Sequence, residues 1–288
     1  MPKCFKGKYL PSKEMTVPCG KCSACLRKKQ LNWTSRIVQE WLSHNQKGRP
    51  SEFITLTYND ENVPRTFQNV LTLHKAQFTK FLNNVRNAHG PFRYYACGEY
   101  GEMYQRPHVH MALFPPDTAT ADYLTKEWIN TNGFAQRKEL TSKRCAYLAK
   151  YTTKGLTKDK DLRLKRDQEP EFRISSTSPG LGTDFAGVVA AKFAQPSGQA
   201  YIEKTGDVAR TFKVGGITYP LTDFTLTKIR KKLDIPLKHS ERDDANDNYL
   251  IYNTPVESTN NPEAHEAQED KYSAEKRSKL YRTPYRRL

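Results

Sequence analysis

The sequence predicts an α+β fold, a mostly antiparallel sheet with helices on one side in the ferredoxin- or RRM-like manner. Three observations predict it. Between residues 51 and 154, strand-like and helix-like patterns alternate in the order β-α-β-β-α-β-α. The two middle strands are joined by a short turn, which makes them an antiparallel pair. The intervening helical segments each carry one apolar face, as helices that cover a sheet do.

Each element has its own signal. From Leu26 to about His44, the apolar residues Leu31, Ile37, Val38, Trp41 and Leu42 follow helical spacing, and Gly48 and Pro50 end the helix. Residues 51–58, SEFITLTY, read as a strand from their β-branched and aromatic content. A polar loop, 59–69, follows. Thr72 is placed to cap a helix that runs to about Ala88 and buries Phe78, Phe81, Leu82 and Val85, with Gly90 past its end. Residues 91–114 form a hairpin that turns near Met103 and is closed by Pro115 and Pro116. Asp117 or Thr118 caps a helix through Ile129 that carries Leu124 and Trp128. Asn132-Gly133 turns the chain into a strand near 134–139, and a helix covers about 142–154.

Residues 155–180 are polar, with Pro170, Pro179 and Gly180, and read as a linker or extended arm. Beyond them the patterns predict a short helix at 183–195, a hairpin at 207–219 split by Gly215-Gly216, and a basic helix at 221–233. From about 239 the chain is polar, with few apolar anchors, and is expected to be disordered. The expected organisation is a cysteine-rich basic segment and helix at 1–50, a core at 51–158, an extension at 159–238 and a tail at 239–288.

The chain has 288 residues, and 47 Lys and Arg against 31 Asp and Glu give a net charge of +16. So basic a balance points to a polyanion, with nucleic acid first. The 16 tyrosines among the basic residues suit stacking on single-stranded bases. No apolar run has the length of a membrane span, and no signal-peptide core opens the chain, so no membrane partner and a cytosolic location are expected. In a reducing compartment disulfides are rare, and the six cysteines need another role.

Residues 97–114, CGEYGEMYQRPHVHMALF, hold the first candidate site. His108 and His110 are one residue apart on a strand, so both imidazoles point to one face. Such a pair alone fits incidental histidines equally well. Glu99 changes that reading. A turn centred near Met103 places Glu99 opposite His108, and cross-strand partners share a face with Cβ atoms about 5 Å apart. Two imidazoles and a carboxylate then converge, a set suited to a divalent ion with open positions. Glu102 competes with Glu99 if the turn shifts. Cys97 falls opposite His110, as neighbour or ligand. A carboxylate set favours Mg²⁺ or Mn²⁺, whereas a thiolate would favour zinc.

The segment YLAKYTTK, 147–154, is the second. At helical spacing Tyr147, Lys150, Tyr151 and Lys154 fall within an arc of about 100°. Cys145, Leu148, Ala149 and Thr152 lie on the other side. The pair of tyrosines also fits an aromatic stripe packed on a sheet. Beside a metal hairpin the chemistry becomes specific. A phenol is a poor nucleophile at neutral pH, and neighbouring ammonium groups and a divalent ion favour its phenolate. Attack on a phosphodiester yields a 5′-phosphotyrosine link and a 3′-hydroxyl, and two tyrosines allow a second cut while the first holds a DNA end.

The third is the cysteine cluster. Cys19, Cys22 and Cys25 are spaced C-x2-C-x2-C, with Cys4 available as a fourth ligand. The spacing fits a structural zinc site, unmetallated thiols or an iron–sulfur cluster.

FITLTY at 53–58, CGEYGEMYQRPHVH at 97–110, YLAKYTTK at 147–154 and CGKCSACLRKK at 19–29 together resemble the replication initiators of the gokushovirus branch of the microviruses, which belong to the His-hydrophobic-His (HUH) endonucleases. The resemblance covers about residues 1–180. It implies an HUH nuclease core with His108, His110 and Glu99 as metal ligands, Tyr147 and Tyr151 as paired nucleophiles, and Lys154 and Lys150 as lysines that accompany them at the DNA. It further implies nicking of the origin strand in single-stranded or locally melted DNA, covalent attachment, rolling-circle synthesis by host replication proteins, circularisation, and action in the host bacterial cytoplasm. Two other readings are a non-enzymatic nucleic-acid-binding protein built around the cysteines and a plasmid or transposon HUH nuclease.

Overall fold

The computed structural model describes residues 4, 6–13, 15–101, 104–151, 164–165 and 167–236. Glu102, Thr152, Lys154 and the expected disordered tail lie outside the described residues. Residues 1–28 belong to one compact unit and residues 29–238 to another.

In chain order, β1 (Lys8–Leu10) and β2 (Met15–Val17) form a small antiparallel pair across a 3-10 turn, Pro11–Lys13. Then follow α1 (Ser23–Gln46), β3 (Glu52–Tyr58), α2 (Lys75–His89), β4 (Arg93–Tyr100), β5 (Pro107–Phe114), α3 (Thr118–Thr131), β6 (Gly133–Glu139) and α4 (Ser142–Lys150). The order from β3 to α4 is the one the periodicities predict. β7 (Phe172–Ser175), α5 (Thr183–Phe193), α6 (Pro196–Thr205), β8 (Thr211–Val214), β9 (Ile217–Pro220) and α7 (Asp223–Lys232) complete it. None of the described helices is long and apolar enough to cross a membrane.

The main sheet has five strands in the order β6-β3-β5-β4-β7, and every neighbouring pair is antiparallel. The α+β class and antiparallel sheet are as expected. The placement of helices on one side needs correction, because both faces are covered. Ile54, Leu56, Tyr94, Ala96, Val109 and Met111 face Phe78, Leu82, Val85, Leu124 and Trp128 of α2 and α3. Phe53, Tyr95, Cys97, Ala112 and Phe114 face Ile37 and Val38 of α1 and Leu148 and Ala149 of α4. The physical reason lies in the central strands. All but the first residue of β4 are buried, and a sheet apolar on both faces needs two covers. Truncating a residue such as Leu82, which is wholly buried, costs about 2–5 kcal/mol.

Three boundaries differ from expectation. The cap of α2 is His74, with no side-chain cap bond, rather than Thr72. The Thr72 hydroxyl instead donates to the Leu73 carbonyl and accepts from the amide of Glu169. The expected linker at 155–180 contains β7, which adds to β4 with Phe172 buried in the first core. Gly98 makes that possible, since a Cβ there would meet the Phe172 ring at 2.5 Å. The helix α6 was not expected, although Pro196 at its start and left-handed Gly206 at its end are standard signals.

The predicted hairpin is β8–β9, turning on Gly215 and Gly216, both at positive φ as a primed turn requires. The extension is anchored to α1 and β4 by polar contacts. Fully buried Glu40 accepts from the amide of Gly182 at 2.8 Å and pairs with Arg93 at 3.0 Å, while Arg36 donates to the carbonyl of Leu181.

Candidate active site

The β4–β5 hairpin has the register that the turn implies: Glu99 opposite His108, and Cys97 opposite His110. All four side chains lie on the α1/α4 face. On the other side of β5, Thr57 of β3 is opposite His108 and Thr55 opposite His110. Both histidine Nε2 atoms reach one carboxylate oxygen, Glu99 Oε1, at 3.0 Å from His108 and 3.1 Å from His110. Glu99 and His110 are buried, and His108 is half-buried.

The other ring nitrogens are held from behind. His108 Nδ1 lies 3.1 Å from the Arg106 carbonyl, which can only accept, so Nδ1 carries a proton. His110 Nδ1 lies 3.0 Å from Thr55 Oγ1. Such contacts orient an imidazole and aim Nε2 at a ligand. Phe53 stacks against His110, with centroids 5.7 Å apart.

α4 begins at Thr141, whose hydroxyl accepts from the amide of Arg144. Its apolar side, Cys145, Leu148 and Ala149, is buried. Tyr151 is the C-cap but keeps helical dihedrals, so it stands one turn from Tyr147. The two phenol oxygens are 2.5 Å apart. Tyr151 donates to Glu99 Oε1 at 2.9 Å, and the Tyr147 hydroxyl is 3.5 Å from His110 Nε2. The structure thus brings Glu99, His108, His110, Tyr147 and Tyr151 together. Lys150 is half-buried in the last turn of α4.

The electrostatics follow from this packing. Burial opposes ionisation of Glu99, but hydrogen bonds from His108 and His110 and their charge outweigh it and hold the carboxyl well below its usual range. Tyr151 is shifted the other way: burial, then the charge of Glu99, push its phenol far up. Cys97 is a neighbour of the site; its thiol donates to the His110 carbonyl at 3.6 Å. The ligand atoms of Glu99, His108 and His110 lie within 4.8 Å of one another and can hold a metal ion.

In the N-terminal unit, the thiols of Cys4, Cys19, Cys22 and Cys25 also lie within 4.8 Å of one another, so the structure brings Cys4 to the other three. Amides of Lys21 and Cys22 donate to Cys19 Sγ at 3.4 and 3.3 Å. These bonds pull the Cys19 thiol down to about 6, whereas burial pushes Cys25 up to about 12. Four thiols with amides aimed at one sulfur make a donor set that can hold a second ion.

Three features of the site were not singled out from the sequence. Thr55 and Thr57 repeat the spacing of the histidines they face, and that matching T-x-T beside H-x-H was the available signal. Arg173 lies in the polar stretch 155–180, whose composition reads as a linker although the structure forms β7 there. It lies opposite Cys97 on this same face, with its guanidinium 4.2 Å from the Trp33 ring, while Arg36 lies 4.6 Å from that ring.

Residues 51–156 match the family described as Replication-associated protein ORF2/G2P. The chain is 32% identical over 159 residues to the replication-associated protein ORF2 of Spiroplasma virus 4, covering 49% of each chain. It is 29% identical over 172 residues to the replication-associated protein VP4 of Bdellovibrio phage phiMH2K, covering 52% of this chain and 53% of that one. With the replication-associated protein ORF4 of Chlamydia phage 1 it shares 30% over 101 residues, 34% of this chain and 24% of that one. The chain thus spans about half the length of the first two relatives. No solved structure matches. Over residues 51–156, which carry β3 to β6, the histidine pair and the tyrosine helix, the chain is similar to the replication-associated protein family ORF2/G2P, and the relatives it resembles are replication-associated proteins of small phages.

Proposed function

We propose that this chain initiates rolling-circle replication of a small single-stranded DNA genome by nicking the origin strand. The observation that carries the reading is the contact of two phenols, Tyr147 and Tyr151, with Glu99 and His110 of a potential ion site. The names of the related phage proteins and the net charge of +16 support a DNA substrate.

In the proposed reaction, the Tyr147 oxygen attacks a backbone phosphorus. A phosphorus–Oη bond forms as the bond to the 3′ oxygen breaks, and the phenol's proton leaves with the 3′-hydroxyl. Tyr147 then carries the 5′ end while a host polymerase extends from the 3′-hydroxyl. Tyr151 makes the second cut, and the freed 3′-hydroxyl attacks the first phosphotyrosine, returning the proton to Tyr147 and closing the circle. Bond energy is kept in the link, so no ATP is needed. Glu99, His108 and His110 would hold a divalent ion, with Mg²⁺ or Mn²⁺ favoured by the carboxylate, which would supply Lewis-acid polarisation of a phosphate oxygen and offset the charge that Glu99 presents to the phenols. Phe53 and Thr55 hold His110 in orientation. Lys150, with Lys154, screens the phosphates, and Arg173 adds charge on the same face. Action in the host bacterial cytoplasm follows from this role.

At Cys4, Cys19, Cys22 and Cys25 the four thiols suit zinc as a structural ion. The same cluster favours a second reading, a DNA-binding protein without nuclease activity.

An end-labelled single-stranded origin oligonucleotide, incubated with protein and Mg²⁺ or Mn²⁺, separates the two. Nicking lost in His110→Ala and on chelation is expected. Binding without cleavage, indifferent to His110→Ala, selects the second reading.

A further inference from the structure

The row of residues that carries Glu99 and His108 continues across the sheet. Glu99 is opposite His108, His108 opposite Thr57, and Thr57 opposite Phe134. Directly opposed residues share a face, and neighbouring strands are about 4.8 Å apart. Phe134 therefore stands on the face of the ion ligands, about 10 Å from His108.

Its surroundings are unusual for a phenylalanine. Phe134 is 64% exposed, on the edge strand β6. An exposed apolar ring on a sheet edge invites unwanted pairing, so it calls for a purpose. Beside it lies a cavity of about 330 Å³, lined by Phe134, Thr57, Asn59, Asp60 and Arg106 among others. One wall is a flat ring. The rim is polar: Arg106 donates to the Tyr58 carbonyl at 2.8 Å and pairs with Asp60, whose side chain is 81% exposed. A ring for stacking, with a guanidinium and a carboxylate at its edge, offers what an unpaired nucleobase needs: one surface for its face and partners for its hydrogen-bonding edge. An apolar peptide would use the ring but not the polar groups at its edge.

We propose that Phe134, Arg106 and Asp60 hold one unpaired nucleobase of the substrate strand and thereby position a phosphodiester a few nucleotides away at Glu99, His108 and His110. This rests on the reading of the chain as a DNA-nicking enzyme. Phe134 is a positioning residue, acting through the strand it grips.

The test uses the full chain, without added metal ion, and thymidine oligonucleotides in which a single 2-aminopurine is moved along the strand. Stacking on an aromatic ring quenches that base. At one or more positions the wild type and Phe134→Tyr quench it, and Phe134→Ala does not. Phe134→Ala also binds about 5- to 150-fold more weakly, the range for losing one base–aromatic stack. Equal quenching by Phe134→Ala, or quenching at no position, overturns the proposal. Covalent adduct formation is scored separately with Mn²⁺. Quenching without an adduct leaves the base site standing and removes the nicking reading. An adduct with unaltered quenching in Phe134→Ala removes the base site alone.

Discussion

The Tyr151 phenol donates a 2.9 Å hydrogen bond to Glu99 Oε1, the same oxygen that both imidazoles reach. The tyrosine would therefore compete with a metal ion for one carboxylate. Tyr151→Phe removes the competing donor, and one hydrogen bond is worth about 1–1.5 kcal/mol net. Mn²⁺ affinity, measured by calorimetric titration, should rise about 5- to 10-fold in that variant. Unchanged or weaker binding would show that the tyrosine does not hold Glu99 back.

Thr55 gives a second expectation. Its hydroxyl is 3.0 Å from His110 Nδ1, on the side of the ring away from Glu99. Thr55→Val keeps the β-branched shape that suits β3 and deletes the polar contact. Loss of such an outer contact typically lowers metal affinity or activity about 10- to 100-fold. The melting temperature should stay near that of the wild type. A variant that binds Mn²⁺ normally would refute the orienting role.

Much of this site was legible because a hairpin converts sequence spacing into geometry. Once Glu99, a short turn and His108 are recognised, the register follows, and period-2 alternation places His110 beside them. Helical spacing did the same for Tyr147 and Tyr151. What could not be read was set by tertiary packing. No local pattern shows that α1 covers the second sheet face, because the buried runs RYYACGEY and VHMALF fit one covered face or two. β7 is only four residues long and sits in a polar stretch. Its strand character comes from pairing with β4, and Arg173 was hidden with it. The pattern places Phe134 in a strand, but its exposure depends on β6 being an edge.

Burial gives a stability prediction away from the site. It pushes His44 down from 6.5 to about 4, aided by Arg49, Arg93 and Lys47 and opposed by its bond to the Pro50 carbonyl. A lowered folded-state value means that the unfolded chain takes up the proton first. The stabilisation is thus complete above about pH 6.5 and is lost as the pH falls through about 4. After allowance for solvent screening its size is on the order of 2 kcal/mol. Urea unfolding of wild type and His44→Gln across that window should show a steeper loss in the wild type. Parallel pH profiles would contradict it.

The proposed order of attack, Tyr147 before Tyr151, rests on access. Tyr151 is only 5% exposed and is held by Glu99, while Tyr147 is half-buried nearer the surface. The most direct test is mass spectrometry of the peptide linked to DNA after the protein meets its single-stranded origin with Mn²⁺. A phosphotyrosine link at Tyr147 is expected. A link at Tyr151 alone contradicts the order of attack, and no link to either tyrosine contradicts the nicking chemistry itself.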